Sequence, residues 1–294
     1  MNQARGLRQM VDREAGRPDP TPGLSEGIPR VIAVTSGKGG VGKTNIAGNL
    51  AIAFRRMGKR VLILDADLGL ANLDIILGLT IKHNIKHVIS GEKSLSDVLV
   101  RGPEGICIIP AGSGMQDLAE LTGGQKLDLL SEFDRVDDSF DIFLIDTCAG
   151  ISSNVTYFNI AAGERIVVVT PEPTSITDAY ALIKVLYTKH GTNTYKILVN
   201  MTTGPREAEF VYRNLSNAVD RFLGNVSMDY VGFIPTDANF GKAVRKQQPI
   251  IGLYPETAAS KSITEIGKQI IESSNKDVCD GNIKFFWKKI IGFY

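Results

Sequence analysis

The sequence predicts an α/β fold built on a mostly parallel sheet covered by helices on both faces. Two observations carry that prediction. Near-continuous apolar, β-branched runs occupy residues 31–35, 61–64, 106–109, 142–145, 166–170, 197–200 and 231–234, and strands with no polar side are strands buried on both faces. Segments of helical period, among them residues 125–138, 174–190, 206–223 and 257–274, lie between most of these runs, as crossovers between parallel neighbours require. With 294 residues, 43% of them hydrophobic, the chain can form one large domain of this kind or two small ones. A formal net charge of +1 offers no global attraction for nucleic acid. Cys107, Cys148 and Cys279 stand far apart with no C-x-x-C pair, which argues against a zinc centre or disulfide framework and suits a reducing cytoplasm. No apolar run reaches the ~20 residues of a membrane span. Any membrane contact is therefore expected to be peripheral, on the inner face of the cell membrane.

The chain opens with an arm, residues 1–29. Residues 2–11 place Ala4, Leu7, Met10 and Val11 on one side of a short helix. Residues 16–23, G-R-P-D-P-T-P-G, alternate proline with other residues, which removes backbone donors and holds the chain extended. The expected organisation is a small helix on a leash (1–29), a main domain (30–275) and a terminal segment (276–294).

The first strand of the main domain runs into S-G-K-G-G-V-G-K-T at residues 36–44, and a helix-like segment follows at 45–54. From Gly37 to Thr44 this is the phosphate-binding pattern G-x-x-x-x-G-K-[ST] in its required strand–loop–helix setting. The backbone from Gly39, Gly40, Val41 and Gly42 through Lys43, Thr44 and Asn45 can cradle phosphate oxygens at a helix N-terminus. Lys43 would hold the β/γ-phosphates, and the Thr44 hydroxyl would ligate Mg²⁺. The bland alternative is a glycine-rich turn with no ligand, which the flanking strand and helix disfavour.

Ligands of such sheets sit beyond the carboxyl ends of the strands, so residues directly after each run are the informative ones. After 61–64 come Asp65 and Asp67. One can orient Mg²⁺ or its water shell and the other can position an attacking water; a capping or turn aspartate is the plain alternative. After 142–145 come Asp146, Cys148 and Gly150, an acid placed to reach the Mg²⁺ shell or Thr44 and a glycine that lets backbone approach a γ-phosphate. Cys148 reads as a small buried filler, since no histidine stands nearby to activate it. After 197–199 comes Asn200, whose amide can satisfy both the N6 donor and the N7 acceptor of adenine. A guanine site would continue Asn-Lys-x-Asp, whereas this chain continues Met201-Thr202, so ATP is preferred. His83, His87 and His190 show no metal spacing.

The loop carries a second lysine, Lys38, and K-G-G-V-G-K-T resembles the deviant Walker A box of the MinD/ParA/Mrp ATPases, P-loop NTPases of the MinD-like (SIMIBI) class. That resemblance covers about residues 30–275. It implies a slow ATPase that dimerises with ATP, Lys38 crossing to the partner's phosphates while Lys43 serves its own. It further implies Asp67 as the water-activating carboxylate and Asp65, Asp146 and Thr44 as the Mg²⁺ side. Asn72 and Asp74 would lie near the dimer face, and Pro235 and Asp237 would form the loop beside base and ribose.

The ends discriminate within that family. Residues 2–8, N-Q-A-R-G-L-R, resemble the D-Q-A-x-x-L-R box opening the flagellar-number group (FlhG, also FleN or YlxH), with Asn2 in place of the acid. The resemblance implies Gln3, Leu7 and Arg8 as contacts that stimulate the GTPase FlhF, with basal-body or transcriptional-regulator proteins as further partners and a polar placement. At the other end Ile283, Phe286, Trp287, Ile290, Ile291 and Tyr294 fall at helical spacing, with Lys284 and Lys288 opposite. Twelve residues cannot span a bilayer, but the pattern suits lying in its interface and resembles the family's membrane-targeting helix. A helix packed on the protein's own core is the alternative. The reading is an ATP-dependent dimerisation switch for flagellar number. A MinD- or ParA-type positioning ATPase for division or DNA segregation, an iron–sulfur carrier (disfavoured by the missing cluster cysteines) and a non-catalytic ADP-binding adaptor are the alternatives.

Overall fold

A computed structural model describes residues 29–67, 72–110, 121–137, 139–273 and 283–292. The arm contacts Gln3, Leu7 and Arg8, the prolines of the leash, Cys279 and Tyr294 lie outside the described residues. Eight strands form one sheet: β1 (Arg30–Ser36), β2 (Val61–Ala66), β3 (Val100–Arg101), β4 (Cys107–Pro110), β5 (Ile142–Ala149), β6 (Glu164–Val169), β7 (Thr194–Thr202) and β8 (Ser227–Pro235). Their order is β3-β4-β2-β5-β1-β6-β7-β8. Every pairing is parallel except β3 with β4, a two-residue antiparallel edge.

The helices are α1 (Lys43–Arg56), α2 (Leu73–Leu77), α3 (Ile85–Ile89), α4 (Leu95–Val98), α5 (Gly123–Asp137), α6 (Ser153–Ala161), α7 (Pro173–His190), α8 (Pro205–Phe222), α9 (Ala238–Arg245), α10 (Ile250–Leu253), α11 (Ala258–Glu272) and α12 (Ile283–Ile290). Alternation along each strand divides the core between two layers. Ile32 and Val34 of β1, with Ile63 and Leu144, pack under α1, α10 and α11. Val31 and Ala33, with Leu64 and Phe143, face the opposite layer, where α5, α6 and α12 lie. Beyond them α7 and α8 cover Val167, Val169, Ile197 and Val199.

The terminal helix takes, in this structure, the arrangement kept above as the alternative to membrane contact. Ile283, Phe286, Trp287, Ile290 and Ile291 are buried, with Phe286 and Trp287 at 0% exposure. Trp287 stacks on Phe133 of α5 at 4.0 Å between ring centroids, and Phe286 meets Phe143 edge-on at 5.3 Å. The stripe drawn for a bilayer thus completes the protein's own core in this conformation. A helix of this kind buries its apolar face on whatever apolar surface lies in reach, and here a trough between α5 and α6 supplies it.

Both ends of the main domain are tied at the rim where β1 begins. Arg30 forks onto Glu164 with two contacts of 2.7 Å and donates to the Ile270 carbonyl at the end of α11. Lys196 lies 3.7 Å from the same Glu164 and donates to Ser273 Oγ. Arg30 and Ser273 therefore stand at one corner, opposite the rim that carries the phosphate loop.

Candidate nucleotide site

The sheet order brings the ends of β1, β5 and β2 side by side, and Asp65 pairs in register with Asp146. β1 ends at Ser36, and the loop turns into α1 through Gly42, whose φ of +85° lies in the left-handed region. A side chain there would be strained and would also meet Asn200 Nδ2 at 2.6 Å. Gly37 is required for another reason: a Cβ would lie 2.1 Å from the Asp178 carbonyl of α7. Helix α1 begins with no side-chain cap and no acid in its first turn, so its N-terminal amides and positive dipole end face the loop.

Lys43 is buried, with Nζ 3.7 Å from Asp146 Oδ1. Asp146 is fully buried, and neither carboxylate oxygen has a hydrogen-bond partner among the described residues. Burial pushes its carboxyl up to about 6, the Lys43 charge and the Thr44 hydroxyl partly opposing that rise. Asp65 is also buried and accepts weakly from the N–H groups of Asp67 (3.3 Å) and Leu73 (3.4 Å). Burial first, and the Asp146 charge second, push it up to about 7. Two raised carboxyls in register on neighbouring strands, with both Asp146 oxygens orphaned, are a site suited to a cation. Thr44, Asp65 and Asp146 offer the hard oxygen ligands that Mg²⁺ takes, so the residues present fit the ion.

Lys38 points elsewhere. Its Nζ pairs with the Glu172 carboxylate and donates to Thr174 Oγ1 at 2.8 Å, both at the start of α7. Sequence reading missed Glu172, although it stands just past β6, on the rim where informative residues were expected. Asp67 is half-buried at the end of β2 and meets the Cys148 thiol. Cys148 is thus half-buried and hydrogen-bonded, not simply filler.

The structure adds three further details. Asn200 is buried and donates one Nδ2–H to the Val41 carbonyl at 2.8 Å, so it braces the phosphate loop while its second Nδ2–H and Oδ1 are left for a base. Asp237 caps α9, accepting from Asn239 N–H at 2.8 Å, and Pro235 closes β8. The Gly150 N–H donates to the Ser36 carbonyl at 2.9 Å and is engaged there rather than facing a phosphate.

Comparison with known proteins agrees with this geometry. The family described as ParA, NUBPL iron-transfer P-loop NTPase, matches residues 27–271. The antiactivator FleN of Pseudomonas aeruginosa is 44% identical over 89% of this chain and 93% of its own. The flagellum site-determining protein YlxH of Helicobacter pylori is 32% identical, covering 92% of each. Among solved structures, the MinC:MinD cell division complex of Aquifex aeolicus aligns with TM-score 0.65 and 30% identity over 83% of this chain and 97% of that one. Among the described residues no helix is long and apolar enough to cross a membrane.

Proposed function

The chain belongs to the ParA family of P-loop NTPases, and from that membership we propose that it is an ATP-dependent dimerisation switch governing the number and placement of flagella. The antiactivator FleN and the site-determining protein YlxH, similar along nearly the whole chain, support the flagellar reading over a division or DNA-segregation role. The observation that carries the chemistry is the meeting of a two-lysine phosphate loop with Asp65, Asp67 and Asp146 at adjacent strand ends.

The loop amides and Lys43 bind the phosphates, and the buried Asp146, now paired with Lys43, is the group that must exchange partners when ATP arrives. Bound Mg²⁺ would neutralise charge on the β- and γ-phosphates, held by Thr44, Asp65 and Asp146. Asp67 accepts a proton from the attacking water or orients it. Lys38 leaves Glu172 and reaches the phosphates of a second copy, which makes turnover depend on dimerisation. The arm, through Gln3, Leu7 and Arg8, stimulates an FlhF-type GTPase. The terminal helix, once released from the trough between α5 and α6, turns its apolar face to anionic lipid, with Lys288 near the headgroups. Because α6 directly follows the Asp146–Gly150 segment, a rearrangement at the phosphates is passed to the wall that holds that helix.

The test is Asp67→Ala. It should bind ATP and form the dimer as the wild type does, yet lose turnover by ~10²–10⁴-fold, the range for losing a positioned base. Hydrolysis at the wild-type rate would remove Asp67 from this role. For the arm, a peptide of residues 1–20 should accelerate GTP hydrolysis by FlhF, and no acceleration at saturation returns the arm to an uncommitted terminus.

A further inference from the structure

The structure assigns Cys148 as a positioning residue for the Asp67 carboxylate. β2 and β5 run side by side to their ends, with Ala66 opposite Thr147. One residue further on, Asp67 leaves β2 and Cys148 follows in β5. The Cys148 sulfur lies 3.4 Å from Asp67 Oδ1 and 3.3 Å from the Ala66 carbonyl oxygen, ordinary distances for a sulfur donor. Of these two acceptors among the described residues, a carboxylate oxygen is the stronger for the thiol's one proton. The S–H···O bond therefore fixes the rotamer of the carboxylate at the mouth of the site. It also fastens the end of β2 to the segment that carries Asp146, so the group acting on water and the group on the cation side move together. An alanine would fill most of the volume and supply no donor. A serine would supply one.

This inference rests on the reading of Asp67 as the water-activating group, and the experiment separates the two. Steady-state ATP hydrolysis and ATP affinity are measured for Cys148→Ala, Cys148→Ser and Asp67→Ala in the full chain, with melting temperature as a check on folding. A clamp on the catalytic carboxylate predicts that Cys148→Ala lowers kcat by about 3- to 10-fold, the range one hydrogen bond supplies, while KM and ATP affinity stay put. It predicts that Cys148→Ser restores kcat to within about two-fold of wild type, because the hydroxyl donates in the thiol's place. Wild-type kcat in Cys148→Ala overturns the clamp, as does a serine variant no better than alanine. So does a loss that appears in KM instead of kcat. Activity retained in Asp67→Ala would instead overturn the reading of Asp67.

Discussion

Phe133→Ala tests whether the terminal helix is a fixed part of the core or a released element. Phe133 lies on α5 and stacks flat on Trp287 at 4.0 Å with planes 20° apart. It belongs to the trough and not to the helix, so its removal weakens docking and leaves the apolar face of α12 intact. Four side chains of that helix and Ile291 just beyond it are buried, each worth roughly 1.5–3 kcal/mol. Against them stands the ordering of its residues at about 1–2 kcal/mol each. The two sums are of similar size, so docking is a modest equilibrium. Truncating a buried Phe costs about 3–5 kcal/mol. If only ~2 kcal/mol of that falls on docking, the released fraction rises about 30-fold. Trp287 is the one tryptophan of the chain, so its emission reports the helix directly. We expect Phe133→Ala to shift that emission to the red without nucleotide and to sediment with anionic vesicles without ATP, under conditions where the wild type does neither. A lower melting temperature with unchanged emission and no vesicle binding would mean that the helix is simply core, and the release step would be abandoned.

Other expectations follow from the site. Glu172→Gln removes the ionic partner of Lys38; since both groups are substantially exposed the pair is worth at most ~1 kcal/mol, so ATP-dependent dimerisation in light scattering should strengthen about 2- to 5-fold, while Lys38→Ala should abolish it. An unchanged dimer constant in the glutamine variant would show that the pair does not restrain Lys38. In nucleotide-free protein kept in EDTA, Asp146 and Asp65 sit at about 6 and about 7, above the ~3.9 of an unfolded aspartate. The native state then binds more protons than the unfolded state between about pH 4 and 7, and stability falls as pH rises through that window. Asp146→Asn should flatten the fall and raise the melting temperature at pH 7.5 while costing Mg²⁺-dependent turnover; a melting temperature at or below wild type would contradict it. Gly37→Ala, meeting the α7 backbone at 2.1 Å, should lose ATP binding in a filter or fluorescence assay even though no contact to phosphate is removed.

The central strands were legible because burial on both faces leaves an unbroken apolar text, and the phosphate loop because its glycines and lysines are required one by one. The short elements were not. β3 has two residues, and α2, α3 and α4 have five, five and four, too few to display a period. β8 begins four residues before the run at 231–234, since Ser227, Asp229 and Tyr230 lie exposed on an edge strand and read as loop. Glu172 and Thr174 reach Lys38 across more than 130 positions, a juxtaposition that only the sheet order creates. Asn200 stands out in the sequence, but a strand-end amide looks the same whether it faces a base or braces a loop. The terminal stripe is the same lesson in another form: its period announces an apolar face and is silent on what will cover it.

The corner where Arg30, Glu164 and Lys196 meet fixes where the terminal helix is moored. Ser273 and Ile283 are ten residues apart in sequence, so the chain between them can reach no further than about 36 Å. A helix that leaves its trough stays within that radius, at an effective concentration in the millimolar range. Recapture is then fast, and a free peptide mimicking the helix would have to reach similar concentrations to compete. A lipid surface escapes that restriction because it offers unlimited area at one place. Lengthening the mooring would weaken recapture only gradually, by about 0.6 kcal/mol for each doubling, so insertions between residues 274 and 282 should tune the balance between trough and membrane without breaking it.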